Sequence, residues 1–196
     1  SDNVVMIGNL IRWIKKQYPV KVVVGGPEAA ALEKAFLQRT GCDYIIVGEG
    51  EVPMLQLLSY LEDGIGTLAD VPSLRYLEKD TYHTNPLAPL IMDLDSLPYP
   101  KRENSLQMDY RMRRSIGILT GRGCPFHCAF CYEGAASKNV RFRSVEHVME
   151  EIDYVRSFNH GLQHVNIFDD TFTLNRERLL RFCREMRKRG LTWTCE

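Results

Sequence analysis

Ser115-Ile116-Gly117-Ile118-Leu119-Thr120 runs directly into Gly121-Arg122-Gly123-Cys124-Pro125-Phe126-His127-Cys128-Ala129-Phe130-Cys131-Tyr132. The first part reads as an apolar strand, and the second as a loop presenting three cysteines in the spacing C-x3-C-x2-C. Gly121 and Gly123 let the backbone approach closely, and Pro125 stiffens the turn. Downstream, Ser144 to Phe158 reads as a helix with Val145, Val148, Ile152 and Val155 on its apolar face. His164 to Phe168 follows as a strand ending in Asp169-Asp170. Leu174 to Arg189 is a second helix, stopped by Gly190. Leu191 to Cys195 begins a third strand. Strand, loop, helix, strand, helix, strand makes this an α/β segment.

Upstream, the same alternation appears once more. Val4 to Lys16 places Val4, Val5, Ile7, Leu10, Ile11 and Ile14 on a helical stripe. Lys21 to Val24 is a strand ended by Gly25-Gly26-Pro27, and Glu28 to Arg39 is a helix with Gly41 as its stop. Asp43 to Val47 is a strand ended by Gly48-Glu49-Gly50-Glu51, and Val52 to Leu61 a further helix. This alternation implies a parallel sheet with covered faces, and because two strands are too few to stand alone, either more sheet lies upstream of Ser1 or they join another. Residues 71–84 predict a hairpin turning at Glu78-Lys79-Asp80, and the proline-bearing stretch 85–114 predicts a linker packed through Leu90, Ile91, Leu94 and Leu97. The expected division is 1–66, a first α/β segment; 67–114, hairpin and linker; and 115–196, a second α/β segment.

Three thiolates in one short loop fit three irons of a [4Fe–4S] cluster, whereas most iron–sulfur proteins close the cluster with four cysteines. A triad without a near fourth leaves one metal position open, as catalytic zinc sites do. Zinc is the main alternative, with Cys128-x2-Cys131 as a half-site and His127 or Cys124 as a third ligand. A redox dithiol is another, though it leaves Cys124 unexplained. Cys42, Cys183 and Cys195 are scattered and read as buried, inert thiols.

The 196 residues carry 25 basic and 25 acidic side chains, so no broad attraction to nucleic acid or anionic membrane is expected. No apolar run approaches the ~18 residues of a membrane span. The N-terminus lacks a secretory pattern and an initiator methionine, so a cytoplasmic protein and an excised piece of a longer chain are expected.

The cysteine loop resembles the signature of the radical S-adenosylmethionine (SAM) superfamily, C-x3-C-x-Φ-C, with Phe130 in the aromatic place. The β/α units around it resemble the opening of that family's partial (β/α)6 barrel. Val22 to Pro27, Asp43 to Glu51 and Leu94 to Pro98 resemble the subgroup with an N-terminal cobalamin-binding, Rossmann-like domain. That subgroup includes anaerobic magnesium-protoporphyrin monomethyl ester cyclases, hopanoid-modifying enzymes and many methyltransferases. The resemblance implies that Cys124, Cys128 and Cys131 ligate a [4Fe–4S] cluster and that SAM chelates the fourth iron. Reductive cleavage would then give a 5′-deoxyadenosyl radical, used for methylation, cyclisation or rearrangement of a small organic substrate. It implies an electron donor such as flavodoxin or ferredoxin. Phe130 and Tyr132 would flank the adenine. Asp169 and Asp170, standing where the family has a Gly-Gly-Glu-like stretch, would meet SAM or substrate, with capping of the next helix as the alternative for Asp170. Gly25 and Gly26 would lie near the nucleotide tail of a cobalamin, or simply end the strand. The early cobalamin domain and the later barrel are absent, so this piece is expected to bind cobalamin poorly and turn over little. A zinc-stabilised interaction module and a non-catalytic cluster-binding domain are the competing readings.

Overall fold

The computed structural model describes residues 2–104, 113–131 and 139–195. They form two compact units that divide between Ile91 and Met92.

In the first unit, α1 (Asp2–Gln17), α2 (Pro27–Thr40) and α3 (Glu51–Asp63) flank a sheet of β1 (Val23–Val24), β2 (Tyr44–Ile46), β3 (Leu74–Glu78) and β4 (Thr81–Thr84). The sheet order is β1-β2-β3-β4. β1 and β2 are parallel, with Val23 opposite Tyr44, and β2-β3-β4 are antiparallel. The two parallel strands thus find their partners in the hairpin. That places the hairpin in the first sheet, although the sequence grouped it with the linker. Its two-residue loop, Lys79-Asp80, has both residues at positive φ, 45° and 66°, the twist a tight hairpin requires.

Both faces of this sheet are covered. Ile45 packs with Val4, Ile11, Phe36 and Leu37 on the α1/α2 side. Tyr44 and Ile46 pack with Leu57, Leu74 and Tyr76 on the α3 side. A strand buried on both faces shows a continuous apolar run, which is what Tyr44-Ile45-Ile46 is. The expected stripe of α1 is only half buried. Val4 and Ile11 are inside, whereas Val5 and Leu10 are exposed. The stripe was drawn wider than the groove α1 occupies. Helix α2 is broken at Glu33, which sits at φ 37°, ψ −106°. Such a residue costs about 1–3 kcal/mol. Its carboxylate accepts from Arg75 Nε at 3.1 Å and Tyr82 Oη at 2.6 Å, which ties the kink to the hairpin.

In the second unit, β5 (Ser115–Ile118), β8 (His164–Ile167) and β9 (Thr192–Cys195) form a parallel sheet in the order β5-β8-β9. Ile116 stands opposite Val165, and Val165 opposite Trp193. Helices α4 (Val145–Phe158) and α5 (Arg176–Lys188) make the crossovers. Ser144 caps α4 by accepting from the His147 N–H at 3.0 Å, as expected of an N-cap serine. The predicted face Val145, Val148, Ile152, Val155 is buried. It meets Ile116, Ile118, Val165, Ile167, Phe172 and Phe182 in one core. The alternate strand residues, Ser115, His164, Asn166, Thr192 and Thr194, face the other way and are half-buried or exposed.

Two further strands, β6 (Gly121–Arg122) and β7 (Arg141–Phe142), pair antiparallel beside this sheet. The linker packs on α4: Leu94 is buried, and the Asp95 carboxylate accepts from the Ser144 N–H at 2.9 Å. Inside the unit, the Glu151 carboxylate is 1% exposed and is held by Arg102 and Arg143.

Candidate functional site

The cysteine loop leaves the C-terminal end of β5, the end at which parallel β/α sheets place their chemistry. β6 and β7 close its base, with Gly121 opposite Phe142 and Arg122 opposite Arg141. A Cβ at Gly121 would stand 2.7 Å from Phe142 Cδ1 and 3.2 Å from the Arg141 carbonyl oxygen. Only glycine permits that approach.

Beyond the base the loop is open. Cys124 is half-buried, Cys128 and Cys131 are exposed, and all three are free thiols. Cys131 donates its N–H to the Cys128 carbonyl at 3.0 Å, so the C-x2-C segment is a turn. Phe130 is 93% exposed. Tyr132 lies outside the described residues. Among the described residues no three His, Cys, Asp or Glu side chains converge as they would on a bound metal ion. The three sulfurs therefore share one loop without meeting at one point. As a donor set they suit an iron–sulfur cluster: soft, unpaired with one another and at the surface.

The two aspartates separate. Asp170 is exposed in the turn after β8. It does not cap the following helix. A short 3₁₀ turn, Phe172–Leu174, intervenes, and Asn175 is the N-cap of α5, accepting from the Arg178 N–H at 3.0 Å. Asp169 is 3% exposed. Its Oδ1 and Oδ2 accept from the N–H and Oγ1–H of Thr120 at 2.6 and 2.5 Å. Burial pushes its carboxyl above the ordinary value, against the pull of the Thr120 and Gly121 donors and the Arg178 charge.

Three participants carried no sequence signal that singled them out. Thr120, fully buried, ends the apolar run before the loop. Arg178 on α5 donates to the carbonyls of Thr120 (Nη2, 2.9 Å) and Arg143 (Nε, 3.1 Å). Its guanidinium lies 4.7 Å over the Phe142 ring, and its Nη1 is buried without a hydrogen-bond partner among the described residues. Arg143 donates to Glu151 at 2.5 Å and to the Leu119 carbonyl at 3.0 Å. At the same strand ends Leu119, Phe126 and Phe168 expose apolar surface. The Phe168 ring lies across Gly117, where a Cβ would meet its Cε2 at 2.3 Å.

Gly25 and Gly26 form the turn from β1 into α2 in the first unit. Cys42 is buried, and burial raises its thiol pKa. Cys183 and Cys195 are half-buried. No helix among the described residues is long and apolar enough to cross a membrane.

Residues 118–196 match the family model described as the radical SAM superfamily. An uncharacterized methyltransferase of Pyrococcus horikoshii is 32% identical over 182 residues, which cover 89% of this chain and 39% of that protein. An anaerobic magnesium-protoporphyrin IX monomethyl ester cyclase of Cereibacter sphaeroides is 31% identical over 86% of this chain and 28% of its own length. The chain thus spans well under half of these relatives. Among solved structures, the radical SAM methyltransferase TsrM of Kitasatospora setae, with cobalamin and a [4Fe–4S] cluster bound, superposes with a TM-score of 0.72 at 21% identity, covering 93% of this chain and 36% of TsrM. The cobalamin-dependent SAM radical enzyme OxsB superposes with a TM-score of 0.73 at 20% identity, over 95% of this chain and 27% of OxsB. The two α/β units of this chain therefore share the fold of those enzymes.

Proposed function

We propose, from the premise that this chain belongs to the radical SAM superfamily through residues 118–196, that Cys124, Cys128 and Cys131 hold a [4Fe–4S] cluster with one iron left for SAM. The observation that carries this is the placement of three free thiols on a loop rising from the C-terminal end of a parallel strand. A cluster held by these three cysteines would supply the electron for reductive cleavage of SAM. Iron is bound by the thiolate form of cysteine. Phe130, projecting from the loop, and Phe168, lying over Gly117, offer apolar surface to an adenine. Asp170, exposed at the strand end, would meet the polar part of SAM or of a substrate.

The full-length protein would use that chemistry for methylation, cyclisation or rearrangement of a small organic molecule. Flavodoxin or ferredoxin would supply the electron. The turn at Gly25-Gly26 would lie beside the nucleotide tail of a cobalamin.

Anaerobic reconstitution of the full-length protein with iron and sulfide tests this reading. The expected product is brown, absorbs broadly near ~400 nm as iron–sulfur thiolate sites do, and shows a reduced-cluster EPR signal perturbed by SAM. A colourless protein carrying one zinc per chain would overturn it.

A further inference from the structure

We infer that Asp169 and Arg178 are positioning residues that clamp both arms of the cysteine loop, Asp169 acting on the loop base rather than on SAM. This rests on the cluster reading above. The loop enters through Thr120 and leaves through Arg143. Every polar atom of Thr120 is engaged: its N–H and Oγ1–H on Asp169, and its carbonyl by the Arg143 N–H and Arg178 Nη2, both at 2.9 Å. Arg178 Nε takes the Arg143 carbonyl, so one guanidinium staples the incoming and outgoing arms. Thr171 Oγ1 adds a bond to the Gly123 carbonyl at 3.3 Å, next to Cys124. All these donors and acceptors come from the segment after β8 or from the loop base.

Residues 125–131, in contrast, are all exposed. No side chain in that stretch is buried, whereas the base from which the sulfurs rise is held by the bonds above. A carboxylate with both oxygens occupied and 3% exposure is not offered to a cofactor. A side chain that holds metal ligands from one shell out governs how firmly the metal is kept.

The test uses three variants of the reconstituted full-length protein. Thr120→Val removes the hydroxyl at constant shape, and Thr120→Ser restores it. Arg178→Lys keeps the charge and loses the fork that spans two carbonyls. Iron release to a chelator, the EPR spectrum of the reduced cluster and the melting temperature of the apoprotein are recorded for each. Thr120→Val and Arg178→Lys should release iron about 10-fold faster and shift the EPR signal, with Thr120→Ser close to wild type. Wild-type release rates in Thr120→Val and Arg178→Lys would overturn the clamp, whatever their melting temperatures. If the wild-type protein itself keeps no iron, the cluster reading fails first, and that is decided before any variant is made.

Discussion

The two sheets of this chain are built on different plans. The first is covered on both faces, and its two parallel strands, Val23-Val24 and Tyr44-Ile45-Ile46, are apolar on every residue. The second packs one face on α4 and α5, and its strands alternate: Ser115-Ile116-Gly117-Ile118, His164-Val165-Asn166-Ile167 and Thr192-Trp193-Thr194-Cys195. A run apolar on every residue marks a layer inside a scaffold, whereas alternation marks a sheet with one face left for something polar. Their polar ties differ in the same sense. In the first unit Glu33, Arg75 and Tyr82 join one helix to one hairpin, within a scaffold already closed by its cores. In the second, Asp169, Thr120 and Arg178 hold the base of a loop whose residues 125–131 are exposed.

If that contrast is right, the largest effect comes from removing a thiol. Cys124→Ala should abolish iron uptake in reconstitution, read as iron per chain, and leave the apoprotein's melting temperature unchanged. An equal iron content would break the assignment of metal chemistry to the second unit. Next in size is Glu151→Ala, which leaves Arg102 and Arg143 without their shared buried carboxylate. It should cost the second unit about 3–5 kcal/mol. Guanidinium titration followed by Trp193 fluorescence in a Trp13→Phe background reads that unit alone. Gly121→Ala forces the loop base against Phe142 and should cost about 1–3 kcal/mol in the same assay.

The smallest effect belongs to the first unit. The Tyr82 hydroxyl, followed by Arg75, holds the Glu33 carboxyl below its ordinary value, more than offsetting burial. A depressed carboxyl adds stability above the unfolded pKa, about 4.3, and that stability is lost as pH falls through the folded value. Glu33→Gln should therefore be less stable than wild type near neutrality, and the gap should close in acid. A gap that persists at pH 3 would assign the tie to hydrogen bonding alone.

The strands, the helices and the cysteine loop were legible because each rests on a local pattern. Ser144, the face of α4 and the turn at Gly41 follow from neighbours within a few residues. The clamp was not legible. Asp169 and Thr120 lie 49 residues apart, and nothing near either one announces the other. β6 and β7, at two residues each, are too short to show a period. The kink at Glu33 interrupts a good helical pattern for the sake of partners in a distant hairpin. Asp169-Asp170 read as a matched pair at a strand end, yet one is inside and the other outside.

On the face of the second sheet opposite α4 and α5, the His164 ring bridges two rungs of β9: Nδ1 lies 2.8 Å from Thr192 Oγ1, and Nε2 lies 3.2 Å from Thr194 Oγ1. Thr194 in turn donates to Asn166 Oδ1 at 2.9 Å. Sliding β9 by one residue would carry Trp193 out of the core and, in the same movement, pull both hydroxyls off the imidazole. Alignment of these neighbours is encoded twice, once in oil and once in water, so misthreading during folding is penalised on both sides of the sheet.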